Sequence, residues 1–283
     1  MQKLLFRSTP LASDAEGSLV EISPADAGWD LIRFRVRQLP GGATWDGRTA
    51  GDEVCVVLLK GTVRAAFGGR EATLGPRPGV FGGYPHALYL PAGTEFRIFA
   101  EEPCELAECR APSTKPLTPR VIRPEDCGFE IRGGGNATRQ IVDVIRPDFP
   151  ADRLLICEVY TPSGNWSSYP PHKHDVVNPP AEVDLEEIYY FRFKDREAYG
   201  FQRLYGPSHD ETVKVEDGDV VVVRDGYHPF VSAYGYDAYY LNVLAGSHRS
   251  MAASDDPRYA SFRKTWPPPD PRVPVVQPPR QLR

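Results

Sequence analysis

An all-β protein built from two like halves is what this sequence predicts, and three observations carry the prediction. Prolines (29) and glycines (25) punctuate the 283 residues too densely for long helices. Short segments with alternating or wholly apolar character recur along the chain, separated by Gly, Asp and Pro turns. No segment longer than about 12 residues keeps a 3.6-residue apolar period without a proline in it.

In the first half, residues 31–37 (LIRFRVR) alternate apolar and basic side chains, as a half-buried strand does. Residues 53–60 (EVCVVLLK) form a denser apolar run that stops at Gly61, and residues 62–67 read as its hairpin partner. Residues 87–90, 95–99 and 105–109 supply further strands. The stretch 110–125 (RAPSTKPLTPRVIRPE) is proline-rich and aperiodic, which predicts a linker. In the second half, strands are expected at 141–144, 154–160, 187–193, 200–205, 219–223 and 238–244. Residues 256–266 read as a short helix. The tail from Pro267 (PPPDPRVPVVQPPRQLR) should lie extended on the surface or on a partner subunit. The expected units are residues 1–112, 113–250 and 251–283.

Composition narrows the function classes. Hydrophobic residues make up 41% and charged residues 25%, with 11% aromatic and a net charge of −5. These values suit a globular core and give no basic face for nucleic acid. Only Leu4, Leu5 and Phe6 run together near the amino terminus, too few for a signal-peptide core, and no stretch is long enough for a membrane helix. Five cysteines without CxxC spacing read as reduced thiols. A cytoplasmic enzyme without a membrane or nucleic-acid partner is expected. Neither a GxGxxG or GxxxxGK loop nor a GxSxG elbow occurs, so a nucleotide cofactor and a serine nucleophile are not expected.

The chemistry concentrates in few residues. Among six histidines, His172 and His174 stand two apart behind Pro170-Pro171, and on extended backbone they share one face. Glu186 and Glu187 open an aromatic strand, where a carboxylate is costly unless paired or coordinated. His228 follows the run Val220–Val223 and a turn at Asp225-Gly226. Three imidazoles and a carboxylate form a mixed set for one divalent ion, Zn, Mn, Fe, Co or Ni. His86 has no imidazole neighbour in sequence and reads as structural.

This order of HxH, Glu at a strand opening and His beyond a later strand resembles the cupin superfamily. The segments NWSSYPPHKHD (165–175), LEEIYY (185–190), GFQRLY (200–205), GYHP (226–229) and GYDAYYLNVLAG (235–246) resemble the 5-deoxy-glucuronate isomerases of myo-inositol catabolism. The likeness is dense from about residue 133 to 249. The twelve residues between His174 and Glu187 exceed the gap in the related 4-deoxy-L-threo-5-hexosulose-uronate isomerases, which favours the inositol branch.

The resemblance implies a bicupin of two double-stranded β-helix barrels, the first degenerate and without metal ligands. Glu53, opening its own apolar strand, echoes the Glu187 strand there. It also implies metal ligation by His172, His174, Glu187 and His228, with Glu186 as the alternative carboxylate. The substrate would be a small sugar acid undergoing aldose–ketose exchange, and the assembly a homo-oligomer. A cupin Fe(II) dioxygenase and a non-catalytic sugar-acid-binding cupin are the other classes this ligand set allows.

Proton transfer needs further groups. Asp175 follows the HxH and Glu186 adjoins the ligand strand, and either is a candidate base. One of Gln202 and Arg203 must face the barrel interior, where an arginine would pair the substrate carboxylate. Tyr240 and Asn242 share a strand face, and Tyr227 precedes the third histidine; each is a candidate hydrogen-bond partner.

Overall fold

In the computed structural model, which describes residues 3–8 and 17–279, each half of the chain curls into a two-sheet barrel. The first barrel uses one unusually long strand. Asp52–Phe67 pairs through its first part with His86–Leu90 and Cys104–Pro112, and through its second part with Arg70–Arg77 and Glu95–Ala100. The expected hairpin after Lys60 is absent. The chain runs on through Gly61 and bends there, crossing from one sheet to the other. Gly61 has φ +96°, and a Cβ on it would lie 2.8 Å from the Cys104 side chain, so the bend needs glycine.

The larger sheet of the second barrel runs, in spatial order, Leu5–Phe6, Val220–Val223, Glu186–Phe193, Ala238–Ala245, Leu154–Thr161, Arg139–Ile145 and Gly128–Arg132. Its smaller sheet is Trp166–Ser167, Phe230–Ser232, Tyr199–Tyr205 and Asp210–Glu216. Two elements cross the boundary expected at residue 112. Leu5 and Phe6 pair with Val221 and Val220 of the second barrel, whereas Arg120–Ile122 returns to His86–Leu90 of the first. The stretch read as a linker therefore ends in a strand, because Val121 and Ile122 have apolar surface to cover. The expected helix at 256–266 contracts to a 3-10 turn at Ala260–Lys264. The tail folds back on its own barrel, where Val276 is buried and exchanges two hydrogen bonds with the Gln140 side chain (2.7 and 3.0 Å).

Three apolar layers result. Val54, Val56, Leu58, Phe96 and Ile98 fill the first barrel. Tyr189, Phe191, Phe230 and Tyr240 line the second. Between them, Cys55, Val57, Tyr89 and Cys109 pack against Ile156, Ile188, Tyr190, Leu241 and Val243. The central strands are thus covered on both faces, which is why they read as unbroken apolar runs.

Two carboxylates lock this interface reciprocally. Glu53, at the start of its strand, accepts the backbone amides of Asp152, Arg153 and Leu154 (2.7, 2.6 and 2.7 Å) and the Tyr89 hydroxyl (2.6 Å). Glu186, at the start of the matching strand in the second barrel, accepts the amides of Asp30, Leu31 and Ile32 (2.7, 3.0 and 2.8 Å). The counterpart of Glu53 is therefore Glu186, not Glu187. A third buried contact joins them: the Arg77 guanidinium clasps both oxygens of Glu158 at 2.8 and 2.7 Å. Removing a Glu53 or Glu186 carboxylate leaves three amides without their charged acceptor. Glu53→Ala and Glu186→Ala are each expected to lower unfolding free energy by about 3 kcal/mol, measured by urea denaturation, while Glu125→Ala on the surface changes little.

Candidate metal centre and its cavity

Strand alternation decides what enters the second barrel. In Glu186–Phe193 the side chains of Glu187, Tyr189 and Phe191 turn inward, and Glu186, Ile188 and Tyr190 turn towards the first barrel. Pro170 and Pro171 fix their own φ on the approach, and His172 and Lys173 are held extended by pairing with Asp255 and Ser254. His172 and His174 consequently face one cavity, while the Lys173 ammonium turns away to Asp175 and Glu182. His228 is aimed by the turn before it. Gly226 has φ +77°, and a Cβ there would meet the Tyr205 carbonyl at 2.5 Å.

The donor atoms of His174, Glu187 and His228 all lie within 4.8 Å of one another, and all three residues are buried. Glu187 Oε2 is 2.9 Å from His174 Nε2 and 3.2 Å from His228 Nε2. His172 stands beside this trio with its ring 5.0 Å from that of His228. The tautomers follow from the outer contacts. His174 Nδ1 donates to the Leu185 carbonyl (3.1 Å) and His228 Nδ1 to the Gly226 carbonyl (3.0 Å), so both Nε2 lone pairs point at the carboxylate. Asn242 Nδ2 donates to Glu187 Oε1 at 2.6 Å, leaving Oε2 for the centre.

The electrostatics fit a cation. Burial drives His172 and His228 down from the ordinary imidazole value, which keeps them neutral. For Glu187, burial works to raise the pKa, but His228, His174 and Asn242 outweigh it and hold the carboxyl at about 2. For His174, burial is outweighed by the Glu187 charge, and its pKa rises. His228 Nε2 is buried and makes no hydrogen bond of acceptable geometry. Three electron-rich atoms this close need a positive charge between them, either a proton on His174 or a metal ion.

A cavity lined by His172, His174 and Glu187 measures about 470 Å³, within the usual range for small-molecule sites. Tyr240, Tyr189, Ser168, Asn242 and Arg139 line it beside the histidines. The Tyr240 hydroxyl lies 2.6 Å from Ser167 Oγ, and that of Tyr189 lies 3.3 Å from Ser168 Oγ. Ser168 adopts φ +57°, a costly conformation for a non-glycine residue. Met251, Ala252 and Ala253, from the segment after the last long strand, close one wall.

The residues expected to transfer protons divide sharply. Tyr240 lines the cavity. Glu186 does not: it is turned by strand alternation onto the amides between the barrels. Asp175 is pinned by Lys173 and by the Gly226 amide (2.8 Å). Burial raises its pKa less than these partners lower it, so it braces the His228 turn rather than facing the cavity. Arg203 lies on the outer face in a two-bond pair with Asp210 (2.8 and 2.6 Å); Gln202 is the one that turns inward, fully buried. Tyr227 stacks near Tyr205, outside the cavity. Arg139 and Ser168 were missed in sequence. The pattern Arg139-x-Ile141-x-Asp143, continuing one strand face beyond its apolar part, was the available signal for the arginine.

Two curled barrels with a histidine–carboxylate centre in one of them define a bicupin. The fold recurs in oxalate decarboxylases: a mutant of the Bacillus subtilis enzyme superposes with a TM-score of 0.64 at 14% identity, covering 90% of this chain and 80% of that one. Nearer relatives are specific. The KduI/IolB family matches residues 4–262, and this chain belongs to that family. It is 42% identical over 261 residues to a protein of Geobacillus kaustophilus named 5-deoxy-glucuronate isomerase, covering 91% of this chain and 94% of that one. The Bacillus subtilis strain 168 protein of the same name is 37% identical, with coverages of 84% and 90%. The crystal structure of an IolB-like protein from Salmonella typhimurium LT2 superposes with a TM-score of 0.88 at 36% identity, over 93% of this chain and 99% of that one.

Elemental analysis of the purified protein is expected to find stoichiometric metal that is lost in His174→Ala, His228→Ala and Glu187→Gln and retained in Glu186→Gln. Because the proton on His174 competes with the cation, metal affinity should fall as pH drops through the raised His174 pKa. Equal metal loss in Glu186→Gln and Glu187→Gln would overturn the assignment of the carboxylate.

Proposed function

We propose that this chain is an aldose–ketose isomerase that interconverts 5-deoxy-D-glucuronate and 5-dehydro-2-deoxy-D-gluconate in myo-inositol catabolism, with one divalent ion held by His172, His174, Glu187 and His228. The observation that carries the reading is the convergence of His174, Glu187 and His228 beneath a polar cavity, in a chain 42% identical to a protein of that name. When bound, a divalent ion supplies Lewis-acid stabilisation of charge developing on the substrate's adjacent oxygens.

The chain's own residues do the rest. Asn242 fixes the Glu187 carboxylate in one orientation, so the centre is built before substrate arrives. Burial pushes the Tyr240 and Tyr189 hydroxyls above the usual phenol range, which keeps both protonated at neutral pH as donors to substrate oxygens. The Ser167 hydroxyl, 2.6 Å from Tyr240 Oη, can donate to that oxygen, which frees the phenolic proton to be held on a substrate oxygen and returned as carbonyl and hydroxyl exchange places. Met251 and the two alanines after it exclude water from one side. The five cysteines are unpaired, and all but Cys127 are buried, which supports a reducing, cytoplasmic setting for the enzyme.

The test is conversion of 5-deoxy-D-glucuronate followed by NMR, before and after chelation. Conversion abolished by chelation and restored by a divalent ion is expected. In D₂O, deuterium should appear at the isomerised carbon. Tyr240→Phe should keep its metal and lose roughly a hundredfold to ten-thousandfold in kcat. Stoichiometric metal with no conversion would defeat the isomerase reading and leave the oxygenase and binding alternatives.

A further inference from the structure

Three arginines are buried in the described structure: Arg37, Arg77 and Arg139. Two of them hold carboxylates. Arg37 contacts Glu108 through two nitrogens at 3.1 Å, and Arg77 clasps Glu158. Arg139 is only 6% exposed, yet its guanidinium makes no ion pair or hydrogen bond with any described residue. Its Nε is sealed and unpartnered, and its side chain lines the same cavity as His172, His174 and Glu187. A buried charge without a partner costs several kcal/mol, and burial does depress this guanidinium's pKa. Glu130, on the neighbouring strand and lining the same cavity, is already engaged by Arg132 at 2.9 and 2.7 Å. Arg139 therefore waits for an anion that the protein itself does not provide.

We propose that Arg139 receives the carboxylate of the sugar-acid substrate and sets the enzyme's preference for uronates over neutral sugars. This rests on the isomerase reading for the identity of the substrate. It does not depend on that reading for the chemistry: a planar, forked, desolvated cation matches a carboxylate in two parallel hydrogen bonds. The arrangement suits a linear sugar acid, whose reacting carbonyl and hydroxyl are at one end and whose carboxylate is at the other. The trio takes the reacting end and Arg139 the acid end, so binding energy from the remote group orients the carbons that react. Arg139 also fills the role that Arg203 would have had if it, rather than Gln202, faced inward.

The experiment compares wild type with Arg139→Met and Arg139→Lys, all metal-loaded. Calorimetry uses D-glucuronate and its uncharged amide, D-glucuronamide, as probes, and kinetics uses 5-deoxy-D-glucuronate. Wild type should bind the acid more tightly than the amide. Arg139→Met should lose that preference and raise KM roughly 30- to 1,000-fold with kcat changed far less, and Arg139→Lys should fall between. Metal content should be unchanged, and the ligand-free Arg139→Met protein should unfold at the same or higher urea concentration, since an unpaired charge has been removed. A merely structural arginine would instead lower stability without altering the acid-over-amide preference, and that result overturns the proposal. So does a wild type with no preference for D-glucuronate over the amide. If wild type shows the preference and Arg139→Met loses it, but 5-deoxy-D-glucuronate is not isomerised, the anchor stands and the isomerase reading falls.

Discussion

The structure depends on a pair of carboxylates that each barrel offers to the other. Glu53 and Glu186 sit at equivalent strand openings and each collects three successive backbone amides from the segment leading into a strand of the opposite barrel. Those segments lie at the edge of an apolar interface, where unpaired amides would be expensive. An ionised acceptor satisfies all three at once and fixes the entry of Arg33–Leu39 and of Leu154–Thr161. The two barrels are thereby held with their sheets face to face, and the Arg77–Glu158 pair, with Tyr160 and Tyr239 donating to the same carboxylate at 2.8 and 2.9 Å, adds a polar point in that apolar layer.

The same constraint explains why only one barrel carries a site. When the two strands are matched on their locking carboxylates, Val54 occupies the position of Glu187, and Val56 and Leu58 the positions of Tyr189 and Phe191. At these positions the first barrel is filled by apolar side chains, which offer no ligand atoms. In the second, Glu187 follows its lock by one residue, and the pleat sends it to the opposite face. Neighbouring glutamates thus have unrelated tasks: one accepts amides at the interface, the other sits among imidazoles. A one-residue slip would exchange them and lose both.

This is also where the sequence was legible and where it was not. The strands read from alternation recur in the structure because their periodicity records burial directly. The HxH pair was visible from its i, i+2 spacing, Glu187 from the cost of a carboxylate in an apolar strand, and His228 from its place beyond a strand and turn; the structure brings His174, Glu187 and His228 together. Gly61 was misread because a bend and a turn share the same glycine signal; only the neighbouring Cys104 shows that the chain continues. Asp175 and Arg203 were misread for another reason. A charged residue beside a ligand can face the site or brace it, and its partner (Gly226 for one, Asp210 for the other) is set by folding. Arg139 was hard to read for the converse reason: its strand face could be followed in sequence, but what distinguishes it among the described basic residues is burial without a partner, a property of the assembled barrel.

The segment after the last long strand shows how far the site extends beyond its histidines and Glu187. Residues 256–266 read as a short helix and only the tail from Pro267 as an extended surface segment, yet Ser254 and Asp255 just before them pair with Lys173 and His172, so the backbone carrying His172 is held by this later stretch of chain. Asp256 extends the tie: the Tyr205 hydroxyl donates to it at 2.6 Å and the Pro171 carbonyl accepts its amide at 2.8 Å. Met251, Ala252 and Ala253 become cavity wall as a consequence of the same pairing. The placement of His172 and the shape of one cavity wall therefore rest on one stretch of backbone, and the family match running on to residue 262 takes in the whole of that stretch.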